Sequence, residues 1–116
     1  MTKREIQNLV KAKLRSEIDA EYARKNKLVR KRLYMSNQAI SQLRAIQMID
    51  GQIELPPSCV SEQNEQLWVA FIDDIPTANW AHTCRYWIIA GNGQILEFSA
   101  MLPPSEKNPF ILEEVR

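Results

Sequence analysis

His82 and Cys84 stand two residues apart in the stretch from Asp73 to Arg85. On an extended chain they project to the same face. A nucleophilic thiol needs a base within hydrogen-bond reach and a third group to orient that base. Cys84, His82 and Asp73 (or Asp74) supply those types, so a thiol enzyme is one reading. The stretch has no glycine-rich turn, no oxyanion signature and neither the papain-like nor the caspase-like local motif. The better reading makes Cys84 a small buried thiol and His82 a loop side chain bonded to backbone. The same residues with Cys59 form a zinc set on paper only, because the paired CxxC or HxxxH spacing of structural zinc is missing. Neighbouring Asp73 and Asp74 point opposite ways on an extended chain and do not converge on a cation. No metal and no cofactor are expected, and the chain is read as a non-enzyme.

The second set with chemical meaning is basic. Arg24, Lys25, Lys27, Arg30, Lys31 and Arg32 lie within nine residues that contain no acid. Such a run is not laced by i,i+4 salt bridges, so its charge is open to a partner. The whole chain is polarised in the same sense. Residues 1–44 hold twelve Lys/Arg and four acids, a net of +8; residues 45–116 hold three and ten, a net of −7. A chain of this kind attracts an acidic partner at one end only. The leading expectation is a small interaction protein (an adaptor, inhibitor, immunity or assembly component) docking an acidic protein surface through a basic helix. The alternative is nucleic-acid binding through the same helix, with the cations on phosphates. No glycine-rich phosphate loop, RNA-recognition signature or zinc finger accompanies it. Asn79 and Trp80 form a second expected contact, since Trp is favoured in interface hot spots. Trp80 also reads as a lid over the core. A homo-oligomer with the basic end of one copy on the acidic end of the next follows from the same charges.

The elements that must position these residues follow from punctuation and period. All three glycines and all six prolines lie at or after residue 51. The first fifty residues, rich in Leu, Lys, Arg, Glu, Gln and Ala, therefore predict helix. Ile6, Val10, Leu14, Ile18 and Tyr22 recur every four residues, with Leu9 beside them. That spacing drifts by about 40° per step around a 3.6-residue helix. The stripe resumes at Val29 and Leu33, which puts the basic run on the wet face opposite. A break at Tyr34–Asn37, with Ser36 or Asn37 as N-cap, starts a second helix carrying Ile40, Leu43, Ile46 and Ile49 to a stop at Gly51. The rival is one continuous helix from about Lys3 to Ile49.

The second half changes to a strand period. Gln52–Leu55 predicts a short strand ended by Pro56-Pro57. Gln66–Ile72 is apolar on both faces and predicts a central, fully covered strand. Arg85–Ala90 and Gln94–Met101 flank Gly91-Asn92-Gly93, a strong hairpin signal. Phe110–Leu112 predicts a last strand or turn. The fold class is α+β: a basic N-terminal helical hairpin or long helical arm over residues 1–50, then a small antiparallel sheet of three to four strands with acidic loops over residues 51–116. The longest apolar run, Leu67–Ile72, is too short for a bilayer, which takes about 20 residues. The N-terminus is charged from Lys3 and reads as no secretory signal. Two cysteines fit free thiols in a reducing compartment, so the expected location is cytoplasmic, with no membrane partner.

Overall fold

A computed structural model of the chain describes residues 1–26, 30–41, 66–76, 84–100 and 112–115. Helix α1 (Lys3–Lys25) starts at a capping box. The Glu5 N–H donates to the Thr2 hydroxyl at 3.2 Å, and the Thr2 N–H donates to the Glu5 carboxylate at 2.9 Å. Two of the four open N–H groups of the first turn are satisfied this way. At the other end Asn26 turns left-handed (φ 51°) and its N–H donates to the Tyr22 carbonyl. Asn is one of the few residues that takes this conformation at low cost, so the helix stops there.

Among the described residues six strands follow: β1 (Arg32–Ser36), β2 (Ile40–Ser41), β3 (Gln66–Asp73), β4 (Cys84–Ala90), β5 (Ile95–Ala100) and β6 (Leu112–Glu114). All pairings are antiparallel, in the order β5–β4–β3–β1–β6, with β2 beside the start of β3. The α+β class is as expected; the sheet is larger than three to four strands, and β1 and β2 are drawn from before residue 51.

The helical reading is corrected at residues 26 and 30–41. Neither the continuous helix to Ile49 nor a helix start at Ser36 or Asn37 is present. Asn26 ends α1, and Leu33 and Met35 alternate with Tyr34 and Ser36 as β1 pairs with β3, Leu33 opposite Ile72 and Met35 opposite Ala70. The periods of four and two coincide at Leu33, which is how a strand residue continued a helical stripe. Ser36 does supply a capping oxygen, but to a strand: its buried hydroxyl accepts from the Val69 N–H at 3.2 Å, between the β1 and β2 pairings of β3. Leu43, Ile46, Ile49, the strand expected at Gln52–Leu55, and Phe110 and Ile111 lie outside the described residues.

α1 covers one face of the sheet. Ile6, Val10 and Leu14 are buried against Leu33, Met35, Trp68, Ala70, Ile72, Trp87 and Ile89. The other face is buried too, with Leu67, Val69 and Phe71 of β3 beside Cys84, Tyr86 and Ile88 of β4, and the Phe71 and Tyr86 rings 5.2 Å apart. Gln66–Ile72 is thus a central strand with both faces covered, as its unbroken apolar run implies. The β4–β5 hairpin closes through a three-residue loop. The Gly93 N–H donates to the Ala90 carbonyl, and the Ala90 N–H to the Gln94 carbonyl, both at 2.9 Å. Gly93 sits at φ +90°, the left-handed position that ends this loop type.

Candidate functional site

The apolar stripe of α1 leaves the sheet as its drift requires. Ile18 is partly buried and Tyr22, two further steps round from Leu14, is 50% exposed. Glu17 and Glu21 replace them over the sheet, continuing the i+3, i+4 track from Leu14. Below the helix they meet cations from the strands.

Arg85 of β4 is the hub. Its Nε and Nη2 donate to the two oxygens of Asp74, at 3.0 and 2.8 Å, a bidentate fork. Its Nη1 donates to Glu17 at 2.7 Å and to Glu97 of β5 at 2.8 Å. Glu97 also accepts from the Trp87 indole N–H at 2.8 Å. Lys31, its side chain only 8% exposed, donates to Asp74 at 2.9 Å and reaches Glu21 at 3.5 Å. Lys13 pairs with Glu17 at 3.7 Å and, like Arg85, stands over the Trp87 ring.

These contacts set the protonation states. Burial opposes charge on Asp74, but hydrogen bonds from Arg85 and Lys31 outweigh it and hold the carboxyl below its usual range. Glu97 is lowered chiefly by the Trp87 N–H, against burial and with help from Arg85. Burial works against the Arg85 charge, and Asp74 and Glu17 overcome it, so its pKa is raised. The network uses up its cations: Lys31 and Arg85 are committed to internal carboxylates.

Of the thiol candidates, Cys84 and Asp73 lie among the described residues. Cys84 is fully buried on the face away from α1, and burial, then Asp73 and Asp74, push its pKa up to about 11. A reactive thiol needs exposure and a lowered pKa. The Asp73 carboxylate, on the strand face opposite Asp74, accepts from the Ile75 N–H at 3.1 Å. His82 and Cys59 lie outside the described residues, as do Lys27, Asn79 and Trp80.

The basic run does not form one helical face. Arg24 and Lys25 lie in the last turn of α1, where they also complement the helix dipole. Arg30 is exposed between elements, Lys31 is turned into the network, and Arg32 opens β1. Sequence reasoning passed over Lys11 and Arg15. With Arg32 they border a groove of about 680 Å³ between α1 and the β1–β6 side of the sheet. Its aliphatic lining is Leu14, Ile18, Leu33 and Val115, and Glu114 also borders it. Lys11, Arg15 and Arg32 are exposed and carry no ion pair with another described residue. The signal was present in the sequence: Lys11, Arg15 and Ile18 follow i, i+4, i+7, a stripe beside the Ile6–Val10–Leu14 core stripe.

Among the described residues no group of three or more His, Cys, Asp and Glu side chains is placed to hold a metal, and no helix is long and apolar enough to cross a membrane. No protein-family model, curated protein or solved structure matches the chain significantly.

Proposed function

We propose that this chain is an interaction module that docks an acidic partner in the groove between α1 and β1. The observation that carries it is the contrast between two sets of cations. Lys31 and Arg85 are consumed by Asp74, Glu17, Glu21 and Glu97. Lys11, Arg15 and Arg32 border a concave surface and have no ion pair with another described residue. Cations held by a fold around a groove, in excess of the carboxylate of Glu114 on its edge, attract an anionic surface and steer its approach. Arg24, Lys25 and Arg30, exposed and likewise without an ion pair among the described residues, extend the positive field around the helix end.

The test is a salt series with poly-L-glutamate, duplex DNA and single-stranded RNA against the wild-type chain and Lys11→Glu/Arg15→Glu. Poly-glutamate binding that weakens with salt and disappears in the double variant supports the proposal. Selective binding of a nucleic acid would move the function to phosphate contact. Binding of none of them at low salt would overturn the groove as an anion-docking surface.

A further inference from the structure

The lining of the groove says more than its charge. Resting on the reading of the groove as a docking surface, we infer that its occupant is an acidic protein segment that also carries an aliphatic side chain, seated on Ile18 and Val115 between Arg15 and Arg32.

Ile18 and Val115 are each only partly buried, and both line the groove with the mostly buried Leu14 and Leu33 behind them. Phosphate contact draws nothing from an aliphatic floor. Binding of single-stranded nucleic acid draws on aromatic platforms. Tyr22, the exposed aromatic side chain among the described residues, is not part of the groove lining. An aliphatic floor whose rim holds Lys11, Arg15 and Arg32 against Glu114 keeps an excess of positive charge and fits carboxylates interleaved with Leu, Ile or Val.

The chain itself contains a segment of this composition in the adjacent position. Residues 112–115 read Leu-Glu-Glu-Val and lie along β1. Glu113 pairs with Lys3 of α1 at 3.3 Å, and the Val115 N–H donates to the Leu33 carbonyl at 2.8 Å while its side chain packs against the core under α1. One acidic, aliphatic segment therefore already occupies the seam between α1 and β1. The groove continues that seam towards Arg15 and Ile18 with the same two kinds of surface.

The experiment uses two fluorescent peptides of equal length and charge, a Glu-rich sequence with two central leucines and the same sequence with serines. They are titrated into the wild-type chain and into Ile18→Ser, Arg15→Glu and Tyr22→Ala. The leucine peptide is expected to bind about tenfold tighter, which is the scale of one partly buried aliphatic side chain. Ile18→Ser should abolish that preference and leave the serine peptide unchanged. Arg15→Glu should weaken both, and Tyr22→Ala neither. Equal affinity of the two peptides would refute the aliphatic anchor and leave the electrostatic docking surface standing. Failure of both peptides while RNA binds and Tyr22→Ala abolishes that binding would refute the docking reading itself. Sedimentation of the chain alone covers the remaining occupant: self-association lost in Arg15→Glu would give the groove to a second copy and overturn the inference.

Discussion

Arg85→Met removes a guanidinium while keeping most of the side chain's volume. Four hydrogen bonds go with it, two to Asp74 and one each to Glu17 and Glu97. Breaking a buried ion pair from one side costs about 3–5 kcal/mol, and an exposed pair about 0–1. This site lies between those limits. Arg85 and Asp74 have side chains 16% and 18% exposed, whereas Glu17 and Glu97 are 30% and 45% exposed and keep much of their hydration. Lys31 remains at 2.9 Å from Asp74 and compensates part of the orphaned charge. The expected loss is about 2–3 kcal/mol, which for a chain of this size lowers the thermal midpoint by roughly 10 °C. Urea unfolding followed by tryptophan fluorescence measures it directly, with an unchanged denaturant slope as the sign that the folded state is otherwise intact. A double-mutant cycle with Asp74→Leu isolates the forked pair. Arg85→Lys should recover only part of the loss, because an ammonium cannot fork two carboxylate oxygens. A loss under about 1 kcal/mol, the level of a solvated surface pair, would refute the network as a structural hub.

Other consequences follow from the same interactions. Asp74 and Glu97 have folded pKa values below their ordinary ones, so they contribute stability that is complete above the unfolded carboxylate range near about 4 and is lost as pH falls through the folded values. Chemical-denaturation stability should therefore drop on acidification below that range, and the drop should be shallower in Arg85→Met; equal slopes would contradict it. Cys84 has the opposite sign: the unfolded thiol ionises from its ordinary 9.0 while the folded one holds its proton to about 11, so stability falls across that window. Iodoacetamide should label Cys84 in the native chain only as fast as the chain opens, and rapid native labelling would show the site is accessible. Gly93→Val forces a β-branched residue to φ +90° and brings its Cβ within 3.2 Å of the Met1 sulfur, which ends a flexible side chain and can yield. The backbone cost alone should be about 2 kcal/mol, and an unchanged thermal midpoint would contradict the turn geometry.

The parts of the fold that local chemistry determines were legible in the sequence. The continuous apolar run at 67–72 could only be a strand covered on both faces, and Gly91-Asn92-Gly93 could only be a tight turn between strands. The start of α1 and its Ile6–Val10–Leu14 face were equally plain from period. Its end was not, because Asn26 is a weaker stop signal than Gly and neither Gly nor Pro follows it before residue 51, and Leu33 satisfied helical and strand spacing at once. Tertiary pairing with β3 decided the matter for Leu33, since Leu33 and Met35 bury more apolar surface on the sheet than a lone helix extension would. The ion network was hidden for a related reason. Its members are spread from Lys13 to Glu97, and only the sheet register brings Arg85 and Glu97 under Glu17. Opposite charges in the two halves suggested an acidic partner at the basic end only, whereas part of that opposition is satisfied internally, Lys31 with Asp74 and Lys3 with Glu113. The groove cations were legible only once the core stripe of α1 was known, because Lys11 and Arg15 are distinguished by lying beside it.

The most direct test of the groove compares two double variants with the same change in net charge, Lys11→Glu/Arg15→Glu and Arg24→Glu/Lys25→Glu, in calorimetric titration with the leucine-containing acidic peptide. All four residues are exposed and none has an ion pair with another described residue, so both variants should fold. Binding abolished in the first and weakened only modestly in the second is the predicted result. Equal losses in both would mean that the peptide senses the overall field of the helix and that the groove between α1 and β1 is not the docking site.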